Sequence, residues 1–238
     1  MNSSACSAGG SARWREKMWR AGRLTGLFAL SGVLASCQSA PLHLGLFRRD
    51  YQPDNVYAYP AKLSLNLQRV AVLPVAAESL DGDLPEGCAA LTPVLWDQLV
   101  KTKKFEVVAV DAAKLRSRTG QMSWTGTETL PADFLAFLRC EYGCDGVLFA
   151  ELTAYHAYAP LAVGWRLKLV DARSGQIVWA ADELFDAARP GVSRAAQKFE
   201  QPGFVLPFLR DENWVAINSP SRFGRYSAAA LLDTLPDR

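Results

Sequence analysis

The chain has 238 residues, half of them apolar and 21% charged; with five Cys this is the balance of a folded globular domain, and it excludes a collagen-like repeat, a disordered tail protein and a disulfide-dense miniprotein. The formal net charge of +2 conceals an asymmetry, because residues 1–36 carry Arg13, Arg15, Lys17, Arg20 and Arg23 against Glu16 alone, leaving 21 basic and 23 acidic residues in the remainder. That slightly acidic remainder lacks the basic footprint of a nucleic-acid binder, so no nucleic-acid partner is expected.

The basic stretch ends at Arg23 and is followed by an 11-residue apolar run, Leu24 to Leu34. A bilayer-spanning helix needs about 20 apolar residues, whereas a signal-peptide core needs about 7–15. The run therefore predicts a signal peptide over residues 1–36, with Met18 as an alternative start that leaves a shorter basic region. Leu34-Ala35-Ser36-Cys37 resembles a bacterial lipobox. The resemblance implies cleavage between Ser36 and Cys37 and lipidation of the Cys37 thiol. An ordinary secretory signal with a chance Cys is the alternative. Each buried methylene contributes about 0.8 kcal/mol and one acyl chain holds only marginally, so two or three chains on one residue make a lasting membrane anchor. Gln38 stands where an Asp is the familiar inner-membrane retention signal, which by the same resemblance favours the outer membrane, periplasmic side.

Residues 37–60 read as a lipid-anchored tether, with Pro41, Pro53 and Pro60 and no sustained periodicity. From residue 61 strands and helices alternate. Arg69-Val70-Ala71-Val72-Leu73-Pro74 predicts a buried central strand closed by Pro74. Residues 85–101 predict a helix, because Cys88, Leu91, Leu95 and Leu99 share one face and Pro85-Glu86 suits a first turn. Residues 105–110 predict the second strand; Asp111 caps a short helix to 118, 119–129 form a loop, and a third helix runs from Pro131 to 142 with Phe134, Leu135 and Leu138 inward. Three strands follow, at 146–155, 165–169 and 176–185, the last two joined by the turn Asp171-Ala172-Arg173-Ser174-Gly175; alternation along 165–169 turns Trp165, Leu167 and Leu169 to the core and Arg166 and Lys168 to water. The expected fold is α/β (α+β): a mixed sheet of about five strands in the order β-α-β-α-α-β-β-β with flanking helices, covering residues 61–190. Residues 191–238 read as a C-terminal helical extension packing on that domain through Phe204, Phe208, Trp214, Phe223 and Tyr226.

This order is similar to the TolB N-terminal-like superfamily of periplasmic α/β domains, which includes the curli-secretion lipoprotein, lipoprotein activators of penicillin-binding proteins and Pel-type polysaccharide-export lipoproteins. Three stretches carry the resemblance: 69–74, Tyr142-Gly143-Cys144-Asp145-Gly146-Val147-Leu148-Phe149-Ala150-Glu151-Leu152, and Leu167-Lys168-Leu169-Val170-Asp171-Ala172-Arg173-Ser174-Gly175-Gln176-Ile177-Val178-Trp179. Cys144 departs from the Gly-Ala-Asp-type sequence usual before that strand. The resemblance implies fold and compartment more than activity. A curli-type pore needs added membrane hairpins, with strands of about 9–11 residues, and the gap at 157–164 is too short to hold one.

Candidate chemistry is sparse. The chain has two His, of which His43 lies six residues from the anchor and His156 at a strand end. No nucleophile elbow, Walker loop, dinucleotide fingerprint or zincin motif occurs, so neither cofactor nor catalytic residues are expected. Cys140 and Cys144 lack the companion ligands of a zinc site, so no metal is expected. Cys88 with Cys140 or Cys144 could form a disulfide in an oxidising periplasm; three unpaired thiols are the alternative. Glu151, Asp182, Glu183 and Asp186 read as solvated sheet-edge acids rather than a glycosidase pair. Tyr155, Tyr158 and Leu161, around the apolar loop 159–163, are the candidate partner contacts. The expected function is non-enzymatic: a lipid-anchored protein that binds an envelope partner, or further copies of itself, in envelope assembly, export or synthase activation. An enzyme acting on envelope glycans or peptides predicts His156 in a pocket with two carboxylates. A glycan-binding module predicts exposed aromatics.

Overall fold

A computed structural model describes residues 51–79, 82–200 and 218–238. The signal segment, Ser36, Cys37, His43 and most of the tether lie outside the described residues, as do Phe204, Phe208 and Trp214.

Residues Asp50–Arg238 form one unit. Its sheet contains seven strands: β1 (Val56–Ala58), β2 (Arg69–Val72), β3 (Ala76–Ala77), β4 (Glu106–Ala109), β5 (Gly146–His156), β6 (Ala162–Asp171) and β7 (Ile177–Asp186). The described helices are α1 (Leu84–Thr102), α2 (Ala112–Thr119), α3 (Phe134–Tyr142), α4 (Pro190–Glu200) and α5 (Pro220–Leu232). The class is α/β with a mixed sheet, as expected, in the spatial order β1-β7-β6-β5-β2-β4 with β3 paired to β5. β2 pairs parallel to β4 and β5, and β5, β6, β7 and β1 pair antiparallel.

Two of the seven strands were not expected. β1 lies in the stretch read as tether: Val56, Tyr57 and Ala58 pair with Ala181, Ala180 and Trp179, so residues 56–58 are part of the sheet rather than spacer. Backbone pairing to β7 supplies what periodicity over three residues cannot show. β3 is only two residues long and is held by β5. α3 begins at Phe134 rather than Pro131, because residues 131–133 form a turn in which the Phe134 amide donates to the Pro131 carbonyl.

Each face of the sheet carries its own core. On one side α1, α4 and α5 cover Val70, Val72, Leu148, Leu152, Trp165, Leu167, Leu169 and Trp179. α1 delivers Leu91, Leu95 and Leu99, four residues apart and all buried. α5 approaches α1 so closely that a Cβ on Gly224 would lie 2.4 Å from Leu91 Cδ2. The C-terminal helix is thus an integral layer of the core. On the other side, α2 and α3 bring Leu115, Phe134 and Leu138, with Trp124 from the connecting loop, over Ala71, Leu73, Val147 and Phe149. Asp111 starts α2 as read from the sequence, its carboxylate accepting from the Ala113 and Lys114 amides at 2.7 and 3.3 Å.

Cys88, Cys140 and Cys144 are all free thiols, which corrects the candidate disulfide. Cys88 sits on α1 against the larger core, whereas Cys144 is buried in the smaller core across the sheet, so the sheet separates the two. Burial pushes both of those thiols above the usual cysteine range, which makes them poor nucleophiles.

Candidate functional site

The helices on the α2–α3 side cover the sheet only as far as Phe149 on β5 and Val170 on β6. Beyond them β5–β7 continue, and their alternation turns Arg166 and Lys168 of β6, and Asp182 and Leu184 of β7, to the side opposite Trp165, Leu167, Trp179 and Phe185. This stretch, which no described helix covers on this side and which β1 bounds, is the candidate site.

Arg166 organises it. Its Nε donates to Asp182 Oδ2 at 2.8 Å, and its Nη1 lies 3.3 Å from Glu151 Oε2 and 3.5 Å from Glu78 Oε1. Three carboxylates therefore share one guanidinium, and the patch is net acidic. Glu151 and Glu183 were read as solvated edge acids, and the structure corrects this, with both side chains buried. Glu151 is only 3% exposed because β6 flanks it on one side and the β3 segment on the other. Glu183 accepts from the Tyr51 hydroxyl at 2.5 Å and from the Asp54 amide at 3.2 Å, an arrangement requiring the N-terminal segment to fold onto β7. Partners distant in sequence satisfy both acids, which local patterning cannot reveal.

Burial pushes the Glu151 carboxyl above the usual carboxylate range, and Arg166 opposes that shift. In the window between the unfolded value and this raised one, the folded state holds more protons, so Glu151 makes stability fall as pH rises. Glu151→Gln removes that dependence. The difference in thermal midpoint between Glu151→Gln and the native protein is therefore expected to grow in favour of the variant as pH rises from about 4.5; a constant difference in melts across that range refutes this.

Beside Arg166, Lys168 Nζ donates to the Gly126 carbonyl at 2.6 Å and pins the loop before α3 to the sheet. Between this loop and β1 lies a groove of about 260 Å³ with Asn55, Tyr57, Thr127, Lys168 and Asp182 on its walls. Tyr57 is 53% exposed. Further along, Leu184 is 50% exposed and pairs opposite Gly164. Gly164 admits no side chain, since a Cβ would lie 2.4 Å from Thr153 Oγ1 and 2.9 Å from the Ala154 nitrogen. Thr153 Oγ1 and the Ala154 backbone occupy the space that a side chain at 164 would take, so no side chain from 164 stands beside Leu184.

The expected contact loop divides. Tyr158 is 75% exposed at the β5–β6 turn, but Leu161 is 1% exposed and belongs to the larger core. Tyr155 is also turned inward: a Cβ on Gly87 of α1 would lie 2.5 Å from its ring, so a glycine in the first turns of the helix makes room for it. The cause is the register shift between Leu152 and Ala154, a bulge that reverses the alternation and sends Tyr155 to the helix side. Leu161 and Tyr155 therefore do not form an exposed surface with Tyr158. Leu184 and Tyr57 are among the exposed apolar residues that sequence reading missed.

His156 is exposed at the end of β5, and its Nδ1 lies 3.0 Å from the Tyr158 carbonyl and 3.1 Å from that of Pro160. Two carbonyl acceptors there require Nδ1 to carry the proton, so the imidazole braces the turn. Among the described residues no carboxylate bonds to it, and no group of three or more His, Cys, Asp or Glu is placed to hold a metal. No described helix is long and apolar enough to cross a membrane.

No family model and no curated protein matches the chain. Solved structures do. A PelC dodecamer from Paraburkholderia phytofirmans aligns at TM-score 0.43 and 15% identity over 80% of this chain and 96% of that one. Lipoprotein GNA1162 from Neisseria meningitidis aligns at TM-score 0.35 and 23% identity over 50% of this chain and 79% of that one. The LpoB C-terminal domain from Salmonella enterica aligns at TM-score 0.32 and 15% identity over 50% of this chain and 82% of that one.

Proposed function

We propose that the chain is a non-enzymatic outer-membrane lipoprotein, anchored through Cys37 after cleavage behind Ser36, whose TolB-like periplasmic domain works by protein–protein contact in envelope assembly, export or synthase activation. The anchor reading rests on the lipobox-like sequence, and the contact reading on the face of β5–β7 that no described helix covers. The observation that carries it is Leu184: a leucine half exposed on the sheet face, bordered by the acidic Arg166 cluster on one side and the exposed Tyr158 turn at the end of the hairpin. An apolar centre with a charged rim is the anatomy of a protein interface. A partner that fits it presents an apolar side chain flanked by basic residues. A second copy of the chain meets that requirement only through a different, basic surface in a head-to-tail contact, since an equivalent surface repeats the same acidic rim.

The Tyr57 groove favours a second reading, glycan binding, because an exposed aromatic there stands beside the polar side chains of Asn55, Thr127 and Asp182. The two separate in one experiment. With a photoreactive amino acid at Leu184 in intact cells, the native surface is expected to give a discrete protein adduct, which the double substitution Tyr158→Ser with Arg166→Lys weakens several-fold. Adducts that are absent, or unchanged by the double substitution, overturn the protein-contact reading. Glycan retention lost on Tyr57→Ala favours the second one. An intact mass showing an unmodified Cys37 refutes the anchor.

A further inference from the structure

β2 and β4 are adjacent and parallel, but the helices that follow them leave to opposite faces. β2 leads to α1, whose Leu91, Leu95 and Leu99 enter the larger core, and β4 leads to α2, whose Leu115 enters the smaller one. Such a divergence is a topological switch point, where open α/β sheets form a crevice at the carboxyl ends of their strands and receive ligands. A cavity of about 270 Å³ lies at that place, walled by Leu73 and Pro74 after β2, Val110 and Ala112 after β4, and Leu95 and Trp96 of α1.

Its chemistry differs from that of a nucleotide site. None of the lining residues is charged. Pro74 has no amide proton to offer at the end of β2. The first amides of α2 are already taken by the Asp111 carboxylate, which places a negative charge where a phosphate would need donors. The Thr92 hydroxyl at the mouth donates to its own helix, to the Cys88 carbonyl at 2.6 Å. What remains is a wall of valine, leucine, proline and one indole. A cavity of about 150 Å³ lined by such groups takes benzene, so this one has room for a bicyclic ring.

We propose that the crevice between the carboxyl ends of β2 and β4 is a binding site for a compact, uncharged, apolar molecule about the size of a fused ring pair. It is separate from the β5–β7 face and does not depend on the role assigned there.

The test uses the full chain in lipid nanodiscs, with 5-fluorotryptophan incorporated and indole as the probe. The fluorine resonance of Trp96, identified by its loss in Trp96→Phe, is expected to shift saturably, while those of the buried Trp165 and Trp179 stay in place. Ala112→Phe fills the cavity and is expected to weaken binding at least about tenfold. Thr92→Phe, at an exposed helix position over the mouth, serves if Ala112→Phe loses the native spectrum. Indole-2-carboxylate is expected to bind at least about tenfold more weakly than indole. A shift that never saturates, saturation unaltered by the filling substitution, or equal binding of the carboxylate overturns the proposal.

Discussion

Arg166→Met is expected to lower the free energy of unfolding at neutral pH by about 3 kcal/mol, a fall of about 6–12 °C in the thermal midpoint for a domain of this size. Arg166 stands between Glu151, Asp182 and Glu78 at 3.3, 2.8 and 3.5 Å, and removing it leaves three carboxylates facing one another. Asp182 and Glu78 reach water and lose little, since exposed ion pairs contribute about 0–1 kcal/mol. Glu151 does not reach water, its side chain being 4% exposed, and most of the loss arises there. The pH dependence identifies the source. Burial already holds the Glu151 carboxyl above the ordinary range, and taking away the guanidinium raises it further. At acid pH the carboxyl is protonated in both proteins, so the penalty of Arg166→Met shrinks as pH falls. Combining Arg166→Met with Glu151→Gln is expected to recover most of the loss, because a buried amide needs only hydrogen-bond partners. Chemical denaturation of the four proteins of the cycle measures this. A penalty of equal size at acid and neutral pH, or no recovery in the double variant, assigns the effect to lost packing instead.

The second large effect is at Trp165. Its side chain is fully buried in β6 and its Nε1 donates to Ser227 Oγ of α5 at 3.0 Å, while that hydroxyl in turn donates to the Gly224 carbonyl at 3.0 Å. The indole therefore joins the sheet to the C-terminal helix by both volume and hydrogen bond. Trp165→Ala is expected to cost about 4 kcal/mol, since truncating a buried aromatic leaves a cavity that its neighbours only partly close. Trp165→Phe keeps most of the volume, and Ser227 keeps its bond to Gly224, so the expected cost is about 1–2 kcal/mol. Denaturation midpoints give both values, and amide exchange supplies the location: α5 is expected to lose protection before β5 does in Trp165→Ala. Uniform loss of protection across α5 and β5 contradicts a local role in docking the helix.

The two substitutions mark the boundary between what patterning can and cannot reveal. Trp165, Leu167 and Leu169 were assigned inward from alternation alone, and all three are buried. α1 and α2 begin and end within one or two residues of their sequence signals, because Pro85, Asp111 and the spacing of Leu91, Leu95 and Leu99 act within single turns. Arg166 was assigned outward by the same alternation, but nothing near it in sequence indicates that Glu78, 88 residues away, closes on the same guanidinium. Tyr155 shows the opposite failure. Period-2 reasoning holds only while the ladder is regular, and the bulge after Leu152 changed which side it faces.

By itself the amino-acid sequence determined the α/β class, the order of the main strands and helices, and which side of β6 is apolar, since these follow from local sterics and from burial at fixed periods. Tertiary structure alone decided that residues 56–58 close the sheet, that Glu151 and Glu183 are buried with distant partners, that Cys88 and Cys144 lie on opposite faces, and that Leu184 rather than Leu161 is exposed. Each of those outcomes depends on groups brought together from far apart in the chain, and on a sheet whose far end is covered by described helices on one face only.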